Sequence, residues 1–433
     1  MRNQYLSCLV LLLLICSKVF SQFQNIHVSG RHILGPCNDT LILKGVNYAP
    51  YNWGWSNTQL RLNQIVLSGA NCVRMPWYVT TPDGPTPQAT YNNLVFLDSA
   101  LSKCVQYKMI PIVELHDQTC LNNPANLITL ANWFILPAVK NLINKYKHSI
   151  IINIANEALW VSWASNPTAA QVTFTNTYST IVNTIRTNSI TVPVMIDGPE
   201  CGTNLDVLAN VGQALETTDP LGNLIFSAHA YWYAYAGNDS LQGLNKINYA
   251  ISKNIPFVFG EVANIQDATT MCQYNLNYKP WLKIMNQKKI GWMAWSWDND
   301  GCPARQITTN GNYSSLTTYG SDIVNNPVYG LSVGTIKSKY LMLGGCGVSS
   351  GITETNDDDS FVLYPNPAND YFVVSGNEVV RSIEVYDVLG NALIPELKAD
   401  NKYSLSGFAT GVHIVKIKSA KRIINKRLIV EAK

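Results

Sequence analysis

Two glutamates, Glu157 and Glu261, stand 104 positions apart, and each closes a short apolar run: Ile151-Ile152-Asn153-Ile154-Ala155-Asn156-Glu157 and Phe257-Val258-Phe259-Gly260-Glu261. A carboxyl group beside apolar strands is costly to ionise without a partner. Two that face each other can divide the work of breaking a glycosidic bond. One, with a raised pKa, protonates the departing oxygen; the other attacks the anomeric carbon or activates water. A lone glutamate in such a place is ordinarily a salt-bridge or loop residue. A matched pair with ionisable neighbours points to catalysis, and other apolar runs end in such neighbours. They read Val73-Arg74-Met75-Pro76-Trp77, Glu114-Leu115-His116-Asp117, Ala228-His229-Ala230-Tyr231-Trp232 and Ala294-Trp295-Ser296-Trp297-Asp298.

The segments that carry these ends recur along the chain. Leu41–Asn47, Asn71–Pro76, Met109–Leu115, Ile150–Ala155, Val192–Ile196, Leu224–Ser227, Pro256–Gly260 and Gly291–Trp297 read as strands. Helical patterns fall between most of them, for example at Thr58–Ser68, Val95–Gln106, Ile128–Tyr146, Ala169–Arg186 and Pro280–Gln287, after an opening hairpin of Ile26–Val28 with Leu41–Val46. Apolar strands joined by helix-sized crossovers imply a parallel sheet covered on both faces. Eight such units in about 300 residues fit an α/β (β/α)8 TIM barrel, whose chemistry sits at the C-terminal strand ends. An open doubly wound sheet is the alternative. It usually carries a glycine-rich phosphate loop after its first strand, and Gly45-Val46-Asn47-Tyr48-Ala49 is not one. In a barrel, Glu157 on strand 4 and Glu261 on strand 7 face each other across the mouth.

On these motifs the sequence resembles glycoside hydrolase family 5, over about residues 25–335. Asn156-Glu157 fits that family's acid/base motif and Phe257–Glu261 its nucleophile motif, while Arg74, His116, His229, Tyr231 and Trp295 fall at its other functional strand ends. The resemblance implies Glu157 as general acid, then base, and Glu261 as nucleophile of a retaining reaction, with carboxyl groups ~5–5.5 Å apart. It implies that Arg74 and Tyr231 orient Glu261 and that Asn156 binds the sugar 2-hydroxyl. His229 would stand by the acid/base, His116 by the −1 sugar, and Trp295 beneath it. Further aromatics on expected rim loops are Tyr51, Trp53, Trp55, Trp77, Trp160, Trp163, Trp232 and Trp297, of which about half would be core; Trp133 and Trp281 read as core.

Composition bounds the rest. The chain has 433 residues, 47 % hydrophobic and 14 % charged, against ~25 % charged on average, so it can bury a large core. A net charge of +3 and a pI of about 8.2 are too mild for a dedicated nucleic-acid binder. Residues 1–21 read as a signal peptide: Arg2, an apolar run from Leu9 to Ile15, then Val19-Phe20-Ser21 before the cut. A buried N-terminal helix is the plain alternative. No later segment is apolar enough for a membrane span. Of the 10 Cys, Cys8 and Cys16 lie in that leader. The eight others (Cys37, Cys72, Cys104, Cys120, Cys201, Cys272, Cys302 and Cys346) allow 105 pairings, and none is assigned. No Cys/His cluster has zinc spacing, so no metal and no cofactor is expected. Asp298-Asn299-Asp300 is expected to be a solvated loop, since three residues do not make a calcium cage.

All 11 Trp lie between Trp53 and Trp297 and no Cys follows Cys346, so the far end changes character. Residues 22–346 form the expected catalytic domain, 347–360 a polar linker, and 361–433 a small all-β sandwich of short strands and turn residues. The last part resembles the C-terminal sorting domain of type IX secretion cargo, through Tyr364-Pro365-Asn366-Pro367-Ala368-Asn369, Val385-Tyr386-Asp387-Val388-Leu389-Gly390 and Gly411-Val412-His413-Ile414-Val415-Lys416 before a basic terminus. A carbohydrate-binding β-domain is the alternative, disfavoured by the lack of Trp. The resemblance implies a secreted or surface-attached protein with the export machinery as a partner.

Val113-Glu114-Leu115-His116-Asp117 and Gly291-Trp292-Met293-Ala294-Trp295-Ser296-Trp297 look closer to the β-mannanase branch, with Cys120 standing where glycine is common. His229-Ala230-Tyr231-Trp232-Tyr233 has a cellulase flavour. The expected substrate is therefore β-1,4-mannan, with an endo-β-1,4-glucanase as the alternative. A carbohydrate-binding pseudo-enzyme is the non-catalytic reading.

Overall fold

The computed structural model describes residues 25–50, 60–79, 93–231, 240–266, 271–346, 361–376, 378–387, 391–398, 402–419 and 423–431. The expected leader (1–21), the linker (347–360), Tyr51, Trp53, Trp55, Trp232 and Val388-Leu389-Gly390 lie outside the described residues. Contacts divide the chain into two compact units, Met1–Cys346 and Gly347–Lys433.

In the first unit eight strands close into a barrel: β1 (Lys44–Asn47), β2 (Cys72–Trp77), β3 (Ile110–Leu115), β4 (Ile151–Asn153), β5 (Val194–Asp197), β6 (Leu224–Ala230), β7 (Phe257–Val262) and β8 (Gly291–Ala294). Each runs parallel to its neighbours, and β8 pairs with β1, so the ring has no edge. This is the (β/α)8 arrangement, not the open sheet.

The alternation along each strand explains both halves of the molecule. Val73, Val113, Ile152, Ile196, Phe226, Phe259 and Trp292 point outward into the layer shared with the helices. The alternate residues Cys72, Ile112, Ile151, Met195, Ile225, Val258 and Met293 fill the barrel floor. Two positions further along the same inward faces, the side chains turn polar: Arg74, Glu114, Asn153, Asp197 and Ser227, all buried. The floor is thus an apolar plug and the mouth a ring of charged and amide groups.

The opening segment differs from the expected hairpin. His27–Ser29 pairs with His32–Leu34 around Gly30 and Arg31, and Thr40–Leu41 adds a third strand. Gly30 adopts φ +53°, the conformation that a two-residue turn needs. Ile26, Ile33 and Leu41 then cap the barrel floor.

Asparagines cap several crossover helices. Asn93, Asn123, Asn166 and Asn204 accept N–H groups of the first turns of Leu94–Gln106, Pro124–Ala131, Pro167–Thr187 and Leu205–Thr218. The single helix expected over Ile128–Tyr146 is broken into Pro124–Ala131, a tighter turn at Asn132–Ile135, and Pro137–Lys145. Pro137 lacks the N–H that would continue the first helix, but suits the start of the next.

The second unit holds a three-stranded and a four-stranded antiparallel sheet. Phe361, Phe372, Val385, Val415, Ile417 and Leu428 form its core.

Candidate active site

The eight residues singled out from the sequence (Arg74, His116, Asn156, Glu157, His229, Tyr231, Glu261 and Trp295) all lie at the barrel mouth, and each is buried. Arg74 is the hub. Its guanidinium donates to Glu261 Oε1 (2.6 Å), Asn156 Oδ1 (2.8 Å), Asn153 Oδ1 (3.0 Å), Asp197 Oδ2 (3.0 Å) and Asn47 Oδ1 (3.1 Å). A planar fork can serve that many acceptors at once; an ammonium has three donors.

Glu261 reaches the mouth through a break in register. The β7 pairing shifts between Phe259 and Glu261, so Glu261 turns inward one position later than strict alternation allows. Gly260 permits this: a Cβ there would lie 2.3 Å from Ser227 Oγ and 3.1 Å from His229 Nε2. Tyr231 donates to Glu261 Oε2 at 2.7 Å, so both carboxylate oxygens are held.

Glu157 follows β4 with φ 52°. Its Oε1 meets His229 Nδ1 at 2.7 Å, and the other ring nitrogen of His229 lies 3.3 Å from Asp197 Oδ2. The carbonyl of Gly202, a residue at φ +76°, accepts the backbone N–H of His229 at 2.8 Å. A Cβ at Gly202 would sit 2.6 Å from His229 Nδ1 and 3.1 Å from Glu157 Cγ. Carboxylate oxygens of Glu157 and Glu261 and a ring nitrogen of His229 all lie within 4.8 Å of one another.

The surroundings push the two glutamates apart. Burial, with the Glu261 charge added, raises Glu157 above the usual carboxylate range against the pull of His229 and His116. Burial also acts to raise Glu261, but the His229, Arg74 and His116 charges and the Tyr231 hydroxyl outweigh it and hold Glu261 below that range. His229 is pushed up to about 10: burial opposes its charge, and Glu261, Asp197 and Glu157 overcome it. Asp197 is held at about 2, burial being outweighed by Arg74 and His229. The same cavity thus displaces the two carboxyl groups in opposite directions, Glu157 toward the protonated form and Glu261 toward the ionised one.

One wall of the mouth is built on β3 and β8. His116 Nδ1 pairs with Glu114 (3.0 Å), and its ring lies nearly parallel to Trp295, 6.0 Å between centroids. Trp295 donates through Nε1 to Asp300 Oδ2 at 2.5 Å, and Asp300 Oδ1 takes the Arg305 Nε–H at 2.7 Å. The Arg305 guanidinium stands 5.7 Å from the ring centroids of both Tyr231 and Trp295. The 298–300 stretch is therefore not the solvated loop the sequence suggested. Asp300 is an anchor, and burial pushes Asp298 up to about 7.

Of the expected rim aromatics, Trp77 and Trp297 are wholly buried in the core, as are Trp133 and Trp281. Trp160 and Trp163 are 36 % and 49 % exposed and meet edge to face. The cysteines form three disulfides among the described residues, Cys37–Cys346, Cys120–Cys201 and Cys272–Cys302, leaving Cys72 and Cys104 as buried thiols. Two donor clusters could in principle offer metal ligands, Glu157–His229–Glu261 and Cys120–Glu157–Cys201. In the first, the donors are engaged with Arg74, Tyr231 and each other; in the second, the sulfurs are bonded together and offer no thiolate.

Residues 37–301 match the sequence profile of the cellulase family, glycosyl hydrolase family 5. The chain belongs to glycosyl hydrolase family 5. As a family 5 protein it is a glycoside hydrolase acting on polysaccharide, with the retaining chemistry general to that family. Residues 362–431 match the secretion system C-terminal sorting domain, so this hydrolase is secreted or held at the cell surface. It is similar to the mannan endo-1,4-beta-mannosidase of Cellvibrio japonicus (strain Ueda107), 28 % identical over 75 % of this chain and 70 % of that one. It is also similar to the mannan endo-1,4-beta-mannosidase of Salipaludibacillus agaradhaerens, 24 % identical over 69 % of this chain and 90 % of that one. The fold matches the beta-mannanase of Streptomyces thermolilacinus with a TM-score of 0.63 at 20 % identity, covering 73 % of this chain and 99 % of that one. Among the described residues, no single helix of this family 5 chain is long and apolar enough to cross a membrane.

Sequence reasoning did not place Asp197, Asn47, Asn153, Asp300 or Arg305 in the site. Asp197 had a signal: it follows the apolar run Val192–Ile196 directly, as Glu157 and Glu261 close theirs. Asn153 hides inside an apolar run, Asn47 closes the first strand without an ionisable group to mark it, and Arg305 ends the short turn Pro303–Arg305.

Proposed function

We propose that this protein is a secreted, retaining endo-β-1,4-mannanase in which Glu157 is the acid/base and Glu261 the nucleophile. The observation that carries the assignment is the convergence of the two carboxyl groups with opposite displacements of their pKa. Glu261 attacks the anomeric carbon while Glu157 protonates the departing glycosidic oxygen, giving a glycosyl ester on Glu261. Ester formation removes the Glu261 charge, one of the causes that raise Glu157. Glu157, now ionised, takes a proton from water, which cleaves the ester.

Arg74 and Tyr231 hold the nucleophile ionised and aimed. Asn156 has its Oδ1 taken by Arg74 and its Nδ2 on Thr119 Oγ1, so it meets the sugar 2-hydroxyl in a fixed orientation. His116 and Trp295 form the wall and floor against the −1 sugar. Trp160 and Trp163 supply exposed rings against which further sugars stack. The catalytic domain spans 22–346, and 361–433, joined by the 347–360 linker, is the signal read by type IX secretion machinery.

The mannan reading is supported by the strand-3 and strand-8 segments and by the names of the two curated relatives. The family's cellulase description and the His229–Tyr233 segment favour a β-1,4-glucanase as the second reading. Reducing-sugar release from glucomannan, galactomannan and carboxymethylcellulose separates them. Dominant release from the two mannans is expected; dominant release from carboxymethylcellulose would transfer the assignment to the glucanase.

A further inference from the structure

Glu157 leaves β4 in the left-handed region, φ 52°, and Leu159 follows at 74°. Side chains other than glycine are strained there and stay only where the surroundings over-determine them. Here the surroundings are two neighbouring loops. The loop after β3 accepts the Leu159 N–H at Leu121 O (2.9 Å) and the Trp160 indole N–H at Cys120 O (3.0 Å). The loop after β5 donates its Glu200 N–H to Leu159 O (3.1 Å). One covalent bond joins these two loops over Glu157, the Cys120–Cys201 disulfide. Cys120, Glu200 and Cys201 are themselves left-handed, at φ 57°, 57° and 52°.

The bond also touches the carboxyl group. Cys120 Sγ lies 3.2 Å from Glu157 Oε2, and a sulfur bonded to its partner carries no hydrogen. Among the described residues no N–H or O–H donates to Oε2, whereas Oε1 is taken by His229. We propose that the Cys120–Cys201 disulfide is a positioning element of the catalytic site: it fixes Glu157 in its left-handed turn and keeps donors away from Oε2, the oxygen that gives up and recovers the proton. This rests on the assignment of Glu157 as acid/base.

The physical reason is that a donor on a carboxylate oxygen favours the ionised form. Covering Oε2 with a hydrogen-free sulfur withholds that donor, so the group stays an acid. The remaining charged groups around Glu157 are fixed by other elements: His229 from β6, Glu261 from β7, and His116 after β3. From β5, Asp197 accepts the Glu157 backbone N–H at 3.3 Å. The Glu200 carboxylate is turned away, onto the Val161 and Ser162 N–H groups and the Asn204 amide.

The test uses the full chain and two double variants, C120A/C201A and C120S/C201S, with C37A/C346A as a control lacking a disulfide elsewhere. In C120A/C201A, kcat on mannan is expected to fall at least about tenfold with KM within about twofold, the mark of a lost transition-state interaction. In C120S/C201S a hydroxyl can donate to Oε2, so the basic limb of the kcat/KM profile is expected to move about one unit to lower pH. The control changes neither. Wild-type kcat and an unmoved basic limb in both double variants, whatever their Tm, would overturn the proposal and leave the bond a structural staple.

If the double variants do not fold, the wild-type enzyme is treated with dithiothreitol. The reagent passes two electrons and two protons to the disulfide and is itself oxidised to its cyclic disulfide. With peptide mapping locating the reduced pair, a freed Cys120 thiol is expected to move the same limb to lower pH; a fixed limb refutes the idea. Glu157→Gln, assayed alongside, tests the underlying assignment separately: full activity in that variant would remove the acid/base reading itself.

Discussion

Arg74→Lys keeps a positive charge at the centre of the site but replaces a five-bond fork with an ammonium that has three donors. At least two of the acceptors Glu261, Asn156, Asn153, Asp197 and Asn47 then lose their partner, and all are buried. At about 1–3 kcal/mol for each unsatisfied buried group, the loss is about 2–6 kcal/mol. With an unfolding entropy of about 2 cal/mol/K per residue over ~320 residues, that is a fall in Tm of about 3–9 °C. Misplacing Glu261 costs activity as well, about 100-fold in kcat for a displacement near 1 Å. The acid limb of the pH profile should stay near its wild-type position, because the charge that helps hold Glu261 ionised remains. Arg74→Met should instead move that limb to higher pH. Calorimetry with kcat and KM measured from pH 3 to 9 reads all of these. Wild-type Tm and kcat in Arg74→Lys would refute the hub, and an unmoved acid limb in Arg74→Met would refute its electrostatic part.

Two further outcomes follow from the charge pattern. His229 lowers both Glu157 and Glu261, so His229→Asn should shift both limbs of kcat/KM to higher pH, by about one to two units for a lost charge-assisted hydrogen bond; a shift to lower pH in either limb would contradict the assignment. Asp197, held at about 2 in the folded state, sits below its unfolded value of ~3.9. Its stabilisation is therefore present above about pH 4 and lost as pH falls toward 2. Acid titration of Tm should be shallower in Asp197→Asn over that window, and an identical slope would show that Asp197 does not carry it.

Much of the site was legible because barrel strands speak twice. Their outward alternates read as apolar, and the polar residue two positions past an inward apolar one marks the mouth, as in Ile112–Glu114 and Met195–Asp197. The strand-end rule found Arg74 and His229 for that reason, whereas Glu261 reaches the mouth through the register shift in β7 and Glu157 from the turn after β4. The rule overlooked the network behind them because Asn47, at the end of its strand, and Asn153, within an apolar run, are uncharged amides that nothing in the sequence marks as acceptors of a buried arginine. The helices Leu205–Thr218 and Ser240–Ser252 are less legible than the others because Gly212 and Gly243 weaken the helical pattern. Both glycines lie in tight packing, where a Cβ would meet Ile255 at 2.9 Å and Trp281 at 2.3 Å. Asp298 and Asp300 read as a solvated loop because spacing carries no information on Arg305 or on the indole of Trp295. The cysteine pairing was beyond reach for the same reason: Cys120 and Cys201 are 81 positions apart and meet only because their loops flank β4.

The central claim is that Glu261 becomes covalently bonded to the sugar while Glu157 moves the proton. A mannoside carrying fluorine at C2 and a good leaving group slows breakdown of such an ester more than its formation. Mass spectrometry of the peptides from the treated enzyme should find one added fluorosugar on the peptide containing Glu261. An adduct on any other residue, or hydrolysis with no adduct and inverted anomeric configuration, would contradict the account.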